Sequence, residues 1–516
     1  MPVSDNHPQF GQYLEVWQQL RDTFDGERKI KAEKTKYLPA TSGMIQDGSE
    51  TSPDTPGGKA YAAYLKRAAF HNFMEQAVHH ALGVMHTKPA VIELPPAMEP
   101  LIDRATVNGD SLELLLQKIN EEQLITGRIG LLLDLPAQPT LGQVLPYIAT
   151  YRAERIRNWD DGAVDLPTKQ TLNLVILDET EFERKSGDFG WEQVDKYRVL
   201  QLGDLRKNET EGVYTQTMVT DRTADPSPEL ALTPVIRGQA LREIPFVFIN
   251  SMDLLPDVDN PPLETLSNLC LTIYRGEADY RQALFMQGQD TLVMIGVADD
   301  GQPVRLGAGA AIKIASTEGD AKFIGVSATG LPEMRTALEN DKAAAASLAG
   351  EFVERNSVES GDALRRRIGA RTATLTDIAN ASAAGLQKVL RIAAVWMGQD
   401  PEKVVVSPNL EFTDEVIDTA AIVDLMTAKN AGLPLSFESI HERLRENEYT
   451  DKTFEEELDQ IEAEHTLMPK SDMGAGFDDN GDPIDPNPQP APDDPNADPN
   501  MPAGSKQKPT KTKPPK

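Results

Sequence analysis

The feature that most constrains the fold of this 516-residue chain is a pair of long helical patterns within residues 331–398. In the first, residues 331–356, apolar side chains recur every three, four or seven positions, which places them on one helix face. The second, residues 373–398, has similar spacing, and the small Ser382 lies on its apolar stripe. Alanine runs in both patterns favour helix and allow close packing. The sequence therefore predicts two long helices that pack through apolar faces.

The polar stretch between them, residues 357–372, predicts a loop and carries the densest basic cluster of the chain, Arg365, Arg366 and Arg367. Three interpretations of these arginines stay open. They can contact phosphate groups, form salt bridges with acidic residues of an adjacent subunit, or belong to a solvated charged loop.

Charge restricts the possible functions. The chain has 81 acidic and 51 basic residues and a net charge of −30, which argues against a broad basic surface that grips nucleic acid. A protein that surrounds DNA and lets it slide remains compatible with this charge.

The single cysteine, Cys270, excludes a disulfide framework or a cysteine-rich zinc site within one chain. With no signal-peptide layout and no apolar run near ~18 residues, we expect a soluble protein without a membrane partner.

The remaining sequence predicts an α+β fold with long helices and a β-rich insert. Helices are expected at residues 7–23, 59–86, 111–126 and 261–287, and acidic helices at 414–464. The insert, residues 144–250, contains the strand candidates YIATY, TLNLVIL, KYRVLQL, VYTQTMVT and FVFIN. Further strands are expected in KPAVIELPP, at residues 131–133, and in TLVMIGV, AAIKIAS and VVVSPNLEF. The tail from about residue 469 is rich in Pro, Asp, Asn and Lys and is predicted to be disordered.

Catalytic and metal-binding motifs are not apparent. The sequence has no GxxxxGK[ST] phosphate loop, no HExxH and no GxSxG. His71, Glu75 and His79 are spaced four apart in one predicted helix, but ligands strung over two helical turns do not converge easily on one ion. The acidic DDNGD segment lacks the ligand spacing of a calcium loop. We therefore expect no catalytic residue, metal or cofactor, and the hypothesis of an enzyme has no supporting constellation.

Several stretches together resemble the portal proteins of tailed bacteriophages, in a divergent family first described as a domain of unknown function. They are YRAERIRNWD, the long segment PPLETLSNLCLTIYRGEADYRQALFMQGQDTLVMIG, and ESGDALRRRIGARTATL between two long helices. Ser360-Gly361 with Ala363-Leu364 is similar to a Ser-Gly-x-Ala-Leu signature that follows the channel loop in portal proteins. The similarity runs from about residue 9 to residue 464 and leaves out the tail.

The resemblance implies a portal-type subunit with wing, stem, clip and crown regions. By order along the chain these are an N-terminal α+β wing region (1–143), a β-rich wing and clip region (144–260), a stem helix (261–287), a wing region with the channel helix-loop-helix (288–413), a helical crown (414–467) and the disordered tail (468–516). Stem helices usually occur as a pair, and the candidate partner is the short segment 152–159. The implied channel or tunnel loop is Asn356, Ser357, Val358, Glu359, Ser360, Gly361 and Asp362, followed by the three arginines as candidate DNA or inter-subunit contacts.

The resemblance also implies partners and a location. A homo-oligomeric ring, usually of twelve subunits, would occupy one vertex of the virion capsid after assembly in the host cytoplasm. Double-stranded DNA would pass through its channel during packaging and ejection. Expected protein partners are the terminase large subunit, the major capsid or scaffold protein, and a head-completion or tail adaptor protein. The alternative is another head-tail connector, an adaptor or a minor capsid protein.

Overall fold

The structure is a computed structural model. It describes residues 3–136, 145–160, 172–203, 212–220, 231–288, 291–295, 320–324, 330–350 and 361–410, then residue 412 and parts of 426–467. The chain divides into two compact units, Met1–Asp414 and Glu415–Lys516. Both helices and strands are well represented, so the predicted α+β class is confirmed. The predicted strand AAIKIAS and the tail lie outside the described residues.

The first unit contains ten α-helices among its described residues. They are α1 (Pro8–Asp25), α2 (Glu27–Ala32), α3 (Ser42–Gln46), α4 (Pro56–Arg67), α5 (Phe73–Met85), α6 (Pro100–Asp103), α7 (Leu112–Thr126), α8 (Glu264–Gln287), α9 (Leu331–Gly350) and α10 (Gly361–Met397). In the second unit, α11 (Phe437–Glu446) and α12 (Phe454–Leu467) are described. The predicted helices at 7–23, 111–126 and 261–287 are confirmed, and Ser111 caps α7 by accepting a hydrogen bond from the Leu114 backbone N–H.

The strands belong to small antiparallel sheets. They are β1 (Val91–Glu93), β2 (Arg128–Asp134), β3 (Tyr147–Arg152), β4 (Ile156–Asp160), β5 (Leu174–Asp178), β6 (Glu181–Arg184), β7 (Trp191–Val194), β8 (Tyr197–Leu202), β9 (Tyr214–Val219), β10 (Val235–Ile236), β11 (Gln239–Ala240), β12 (Phe246–Asn250), β13 (Thr291–Ile295), β14 (Asp320–Ile324) and β15 (Val405–Ser407). The sheet orders are β12-β2-β3 and β4-β5-β8-β9, with two-stranded pairs β1-β15, β6-β7, β10-β11 and β13-β14. All five strands predicted in the insert are present.

The β12-β2-β3 sheet is covered on both faces. On one face, Leu131 of β2 and Val247 of β12 pack with apolar side chains of α7 and α10. On the other, Leu132 and Phe248 join a cluster that includes Trp17 of α1 and side chains of the β4-β5-β8-β9 sheet. A third cluster fills the space among α4, α5, α8, α9 and the middle of α10. Because both of its faces are buried, β12 reads as the continuous apolar run FVFIN instead of an alternating pattern.

Three expectations from the sequence are wrong. The single helix predicted at 59–86 is interrupted at residues 68–72, because the Asn72 side chain caps a new helix by accepting from the Glu75 N–H. The stem partner predicted at 152–159 is no α-helix: it forms the end of β3, a single 3₁₀ turn and most of β4, in which Ile156 and Trp159 are buried. The loop predicted at 357–372 is helical from Gly361 onward.

Candidate functional site

The first part of the candidate site is the pairing of α8 with α9. Leu338 of α9 lies against Gly276 of α8, where an added Cβ would come within 3.0 Å of the Leu338 side chain. Further along α9, Ala345 and Ala349 are buried in the same helical core as Tyr274. Small residues at these positions let the two helix backbones approach each other closely. Both predicted long helices therefore bury apolar faces, but they do not pair mainly with each other: α9 packs on α8, and α10 packs on β12 and α7.

A charged group lies within this helix pair. The Glu277 carboxylate accepts hydrogen bonds from Nε of Arg281 at 2.7 Å and from Nζ of Lys342 at 3.1 Å. Burial alone would raise the pKa of this carboxyl, but the two cations outweigh it and lower the pKa below its ordinary value. A buried carboxylate that is paired in this way fixes the register of α9 along α8.

The outer ends of the pair, which are the last turns of α8 and the first turns of α9, lie outside the apolar core. In the last nine residues of α8, 279–287, no side chain is buried within the described part of the chain, and the same holds for residues 331–337 of α9. The consecutive apolar side chains Leu284, Phe285 and Met286 are exposed there. The β13-β14 hairpin lies in the segment that connects these two ends. The helix pair therefore extends beyond its own packed core, and the end of α8 exposes apolar side chains on more than one side of the helix.

Only some of the predicted loop residues belong to the part of the chain that the structure describes. Asn356, Ser357, Val358, Glu359 and Ser360 lie outside the described residues. Gly361 and Asp362 belong to the first turn of α10, and Arg365–Arg367 to the turns after it. Helix extends this far because Ala, Leu and Arg are strong helix formers, and a short run of like charges does not prevent helix formation. The proposed roles of these residues in DNA or inter-subunit contact stay predictions.

From Leu375 onward, α10 buries one face against the core of the first unit. Its apolar stripe, including Leu375, Ile378, Leu386 and Val389, is buried as predicted from the sequence, and Ser382 satisfies its hydroxyl by donating to the Ala379 carbonyl oxygen. Gly385 permits close contact with β12, because an added Cβ would lie 2.4 Å from the side chain of Ile249. The helix that follows the predicted channel loop is thus fixed to the central sheet.

Arg128, at the start of β2, is a buried cation that sequence reasoning missed. Its guanidinium stacks on the rings of Trp159 and Phe248, with centroid distances of 4.5 and 4.1 Å. One nitrogen donates to the backbone oxygen of Pro256, in the acidic loop that leads into α8. Burial lowers its pKa to about 9, so it remains charged at neutral pH. In the sequence, TGRIG indicates only a helix-to-strand turn. The buried position of Arg128 could not be predicted from it, because Trp159 and Phe248, which cover the guanidinium, lie far from Arg128 along the chain.

The histidines form no metal site in the described residues. His71 precedes α5, because the helix begins at Phe73, so the expected shared helical face with Glu75 and His79 is not formed. His86 ends the same helix and lies 2.9 Å from the Asn120 side chain and 3.6 Å from the Glu113 carboxylate. No group of three or more His, Cys, Asp or Glu residues is close enough to hold a metal within the part of the chain described.

Among the helices of the described residues, none has both the length and the apolar character needed to cross a membrane.

Comparisons with known proteins find similarity to this region. The model of DUF4055, a domain of unknown function, matches residues 262–397, which include α8, β13, β14, α9 and α10. No curated protein matches the chain. The chain is similar to a chain in the neck of a native GTA particle computed with C12 symmetry, with 15% identity and a TM-score of 0.36 over 72% of this chain and 89% of that one. It is also similar to a chain in the neck of an empty GTA particle computed with C6 symmetry, with 15% identity and a TM-score of 0.35 over 78% and 92%.

Proposed function

We propose that this chain is the portal protein of a tailed bacteriophage. It would form a ring at one capsid vertex, conduct DNA during packaging and ejection, and act without an active site. The proposal rests on the order of portal-like stretches in the sequence. The single structural observation that supports it is the helix pair α8–α9, whose outer ends carry no buried side chain and expose Leu284, Phe285 and Met286.

Three partly exposed apolar side chains at one helix end, with Phe285 under the Arg67 guanidinium, leave apolar area open on more than one side of α8. Exposed apolar area of this kind is a candidate contact site. In a ring, the outer end of each α8–α9 pair would pack against the pairs of its neighbours, as the stem of a portal requires. Because these contacts are head-to-tail, they close only when the rotation between subunits completes a circle.

The pairing changes how the portal regions are assigned. We assign the stem to α8 with α9, in place of α8 with residues 152–159. The segment between α8 and α9, which includes the β13-β14 hairpin, would then lie at the far end of the stem. We propose that this segment takes the role of clip, where the terminase large subunit and later a head-completion or tail adaptor protein would dock. The major capsid or scaffold protein would contact the outside of the ring.

The charge of the chain suits this task. A channel must let DNA slide, and each phosphate that a protein neutralises strengthens binding through counterion release. A subunit with a net charge of −30 opposes tight binding, while Arg365–Arg367, which follow the proposed channel loop 356–362, could supply a few contacts. Replacing these three arginines with alanine is expected to impair packaging or ring assembly more than folding of the subunit. Normal packaging by intact rings of this variant would contradict that role.

Electron microscopy of the purified full chain in negative stain tests the proposal. We expect rings of about twelve subunits with a central hole and a narrow projecting stem. A strictly monomeric species at every concentration would overturn the proposal, and rings without a stem would favour a different head-tail connector, adaptor or minor capsid protein. Nuclease and ATPase assays on the same sample should show no activity, and turnover that follows the ring through purification would contradict the non-enzymatic role.

A further inference from the structure

Helix α12 carries an apolar stripe that is largely uncovered among the described residues. Phe454, Leu458 and Ile461 recur at steps of four and three, so they lie on one face of the helix. The Phe454 ring meets His441 of α11 with 5.5 Å between the ring centroids, whereas Leu458 is 48% exposed and Ile461 is 46% exposed. A helix of 14 residues is only marginally stable in water unless an apolar face is packed, so this stripe is a candidate contact surface.

Acidic side chains border this stripe. The sequence of α12 contains no Lys or Arg, and Glu457 and Glu462 lie four positions from Ile461 and Leu458, respectively. Residues four apart are neighbours on a helix surface, so one carboxylate stands on each side of the stripe. A second copy of α12 is a poor cover, because the two rows of like charges would repel each other. The charge therefore favours a cover that combines apolar side chains with a cation.

The outer face of α10 has this combination. Lys388, Ile392 and Val395 recur at the same steps of four and three, so they also share one helix face. They line one side of a groove of about 450 Å³, whose other side includes Glu243 and Pro401. Val395 is 57% exposed and Ile392 is partly exposed, although the opposite face of this helix is buried. The groove therefore contains a second apolar stripe, with a cation at one end.

The ammonium group of Lys388 is accessible to a partner. Lys388 is exposed, and no carboxylate in the described part of the chain forms an ion pair with it, including that of Glu243 in the same groove. An acidic group could therefore approach Lys388 from the solvent without displacing an existing partner. An exposed ion pair adds little affinity by itself, so the main effect of this charge is to select an acidic partner and its orientation.

We propose that α12 of one subunit packs along the outer face of α10 of a second copy of this chain. The two apolar stripes would cover each other, and the carboxylates that border the α12 stripe would approach Lys388. The equal spacing of the stripes suits ridge-into-groove packing of two helices. Because α12 and the α10 face are different surfaces, each contact leaves one of each free for the next subunit. The inference rests on the proposed function, because it supplies a specific head-to-tail contact for the ring.

Cross-linking of the full chain tests the contact. The variant carrying both Val395→Cys and Ile461→Cys should give a ladder of covalent oligomers with a flexible bismaleimide. Two chains that each carry one of these substitutions, co-expressed with different tags, should give a dimer that contains both chains. Each single variant alone should give no species larger than a dimer, since one new thiol per chain can join only two chains. The native Cys270 is buried, so it provides an unreactive background.

The outcomes separate this contact from ring formation itself. Rings in microscopy without a ladder from the double variant would overturn the helix contact and leave the proposed function intact. Absence of rings in the wild-type chain would overturn the proposed function. A cross-link that closes within one chain would overturn the contact between copies, and a ladder that stops at the dimer would overturn the head-to-tail arrangement.

Charge exchange gives an independent readout. Lys388→Glu should raise the subunit concentration needed for half-assembly about tenfold or more, because it places like charges side by side in the contact. Combining it with Glu462→Lys should restore most of the loss. The matched control combines it with Asp459→Lys, which makes the same change of net charge on a side of α12 that is turned away from the stripe, and should restore little. Equal rescue by the two substitutions, or no rescue by Glu462→Lys, would contradict the contact.

Discussion

The Glu277 carboxylate of α8 lies 3.1 Å from Nζ of Lys342 of α9, and this ion pair joins the two helices whose outer ends carry no buried side chain. Glu277 is buried, whereas Lys342 and Arg281 reach the solvent at the edge of the contact. The paired charge fixes how far α9 is displaced along α8. It thereby sets which residues of each helix extend beyond the core.

Replacing Glu277 with Gln should reduce the free energy of unfolding by about 1–2 kcal/mol, because two charge-assisted hydrogen bonds are weakened. Chemical denaturation of the full chain measures this loss. Glu339→Gln removes the carboxylate of an exposed pair with Arg335 on the same helix, and should change stability by less than about 0.5 kcal/mol. Equal effects of the two variants would show that burial of Glu277 is not important.

The Glu277 carboxylate should also make the free energy of unfolding depend on pH in the acidic range. Its pKa in the folded chain lies below the ordinary value of 4.5, so its stabilising contribution is present above that pH. The contribution should be lost as the pH falls through the lowered pKa. Denaturation of the wild type and Glu277→Gln across this range should show the difference in stability shrinking towards low pH. A constant difference would contradict the assigned direction.

His86 should make the chain less stable in mild acid. Burial lowers its pKa below 6.5 despite the nearby Glu113 carboxylate, so folding favours the neutral ring. The stabilising contribution is therefore present above about pH 6.5 and is lost as the pH falls towards the folded pKa. His86→Gln keeps a polar group beside Asn120 and should flatten the pH dependence of unfolding. An unchanged pH dependence would show that His86 does not contribute.

Gly385→Ala should destabilise the chain by about 1–3 kcal/mol, because the new methyl group overlaps the Ile249 side chain and must displace β12 or α10. The matched control is Gly83→Ala in α5, where an added Cβ meets nothing within 4 Å. That variant should be neutral or stabilising by up to about 1 kcal/mol, since alanine has the higher helix propensity. Thermal unfolding of both variants measures the contrast, and similar shifts would contradict close packing at Gly385.

Ser111→Ala should cost about 1 kcal/mol, since it removes the hydroxyl that accepts from the Leu114 N–H at the start of α7. Ser111→Asp retains an acceptor and should keep most of the stability. Chemical denaturation distinguishes the two. A loss of the same size in both variants would mean that the cap is not responsible.

Local patterns predicted many elements because the relevant physics is local. Ser111 caps a helix through a bond to a residue three positions away, and the strand candidates of the insert alternate or form short apolar runs. Predictions failed where local patterns were ambiguous. The apolar spacing of 59–86 continues across the break that Asn72 creates, and 152–159 has apolar residues three apart, as in a helix, although Ile156 and Trp159 face the core from a strand.

By itself, the sequence determined the kind of most long elements, the apolar face of α10 and the Ser111 cap of α7, since these depend on spacing and on neighbouring residues. Tertiary structure decided which elements meet. It paired α9 with α8 around Glu277, placed Arg128 against two aromatic rings, and joined β1 to β15, which is far from it along the chain. The physical reason is that periodicity shows which face of an element must be buried, whereas the surface that covers this face depends on packing across the whole chain.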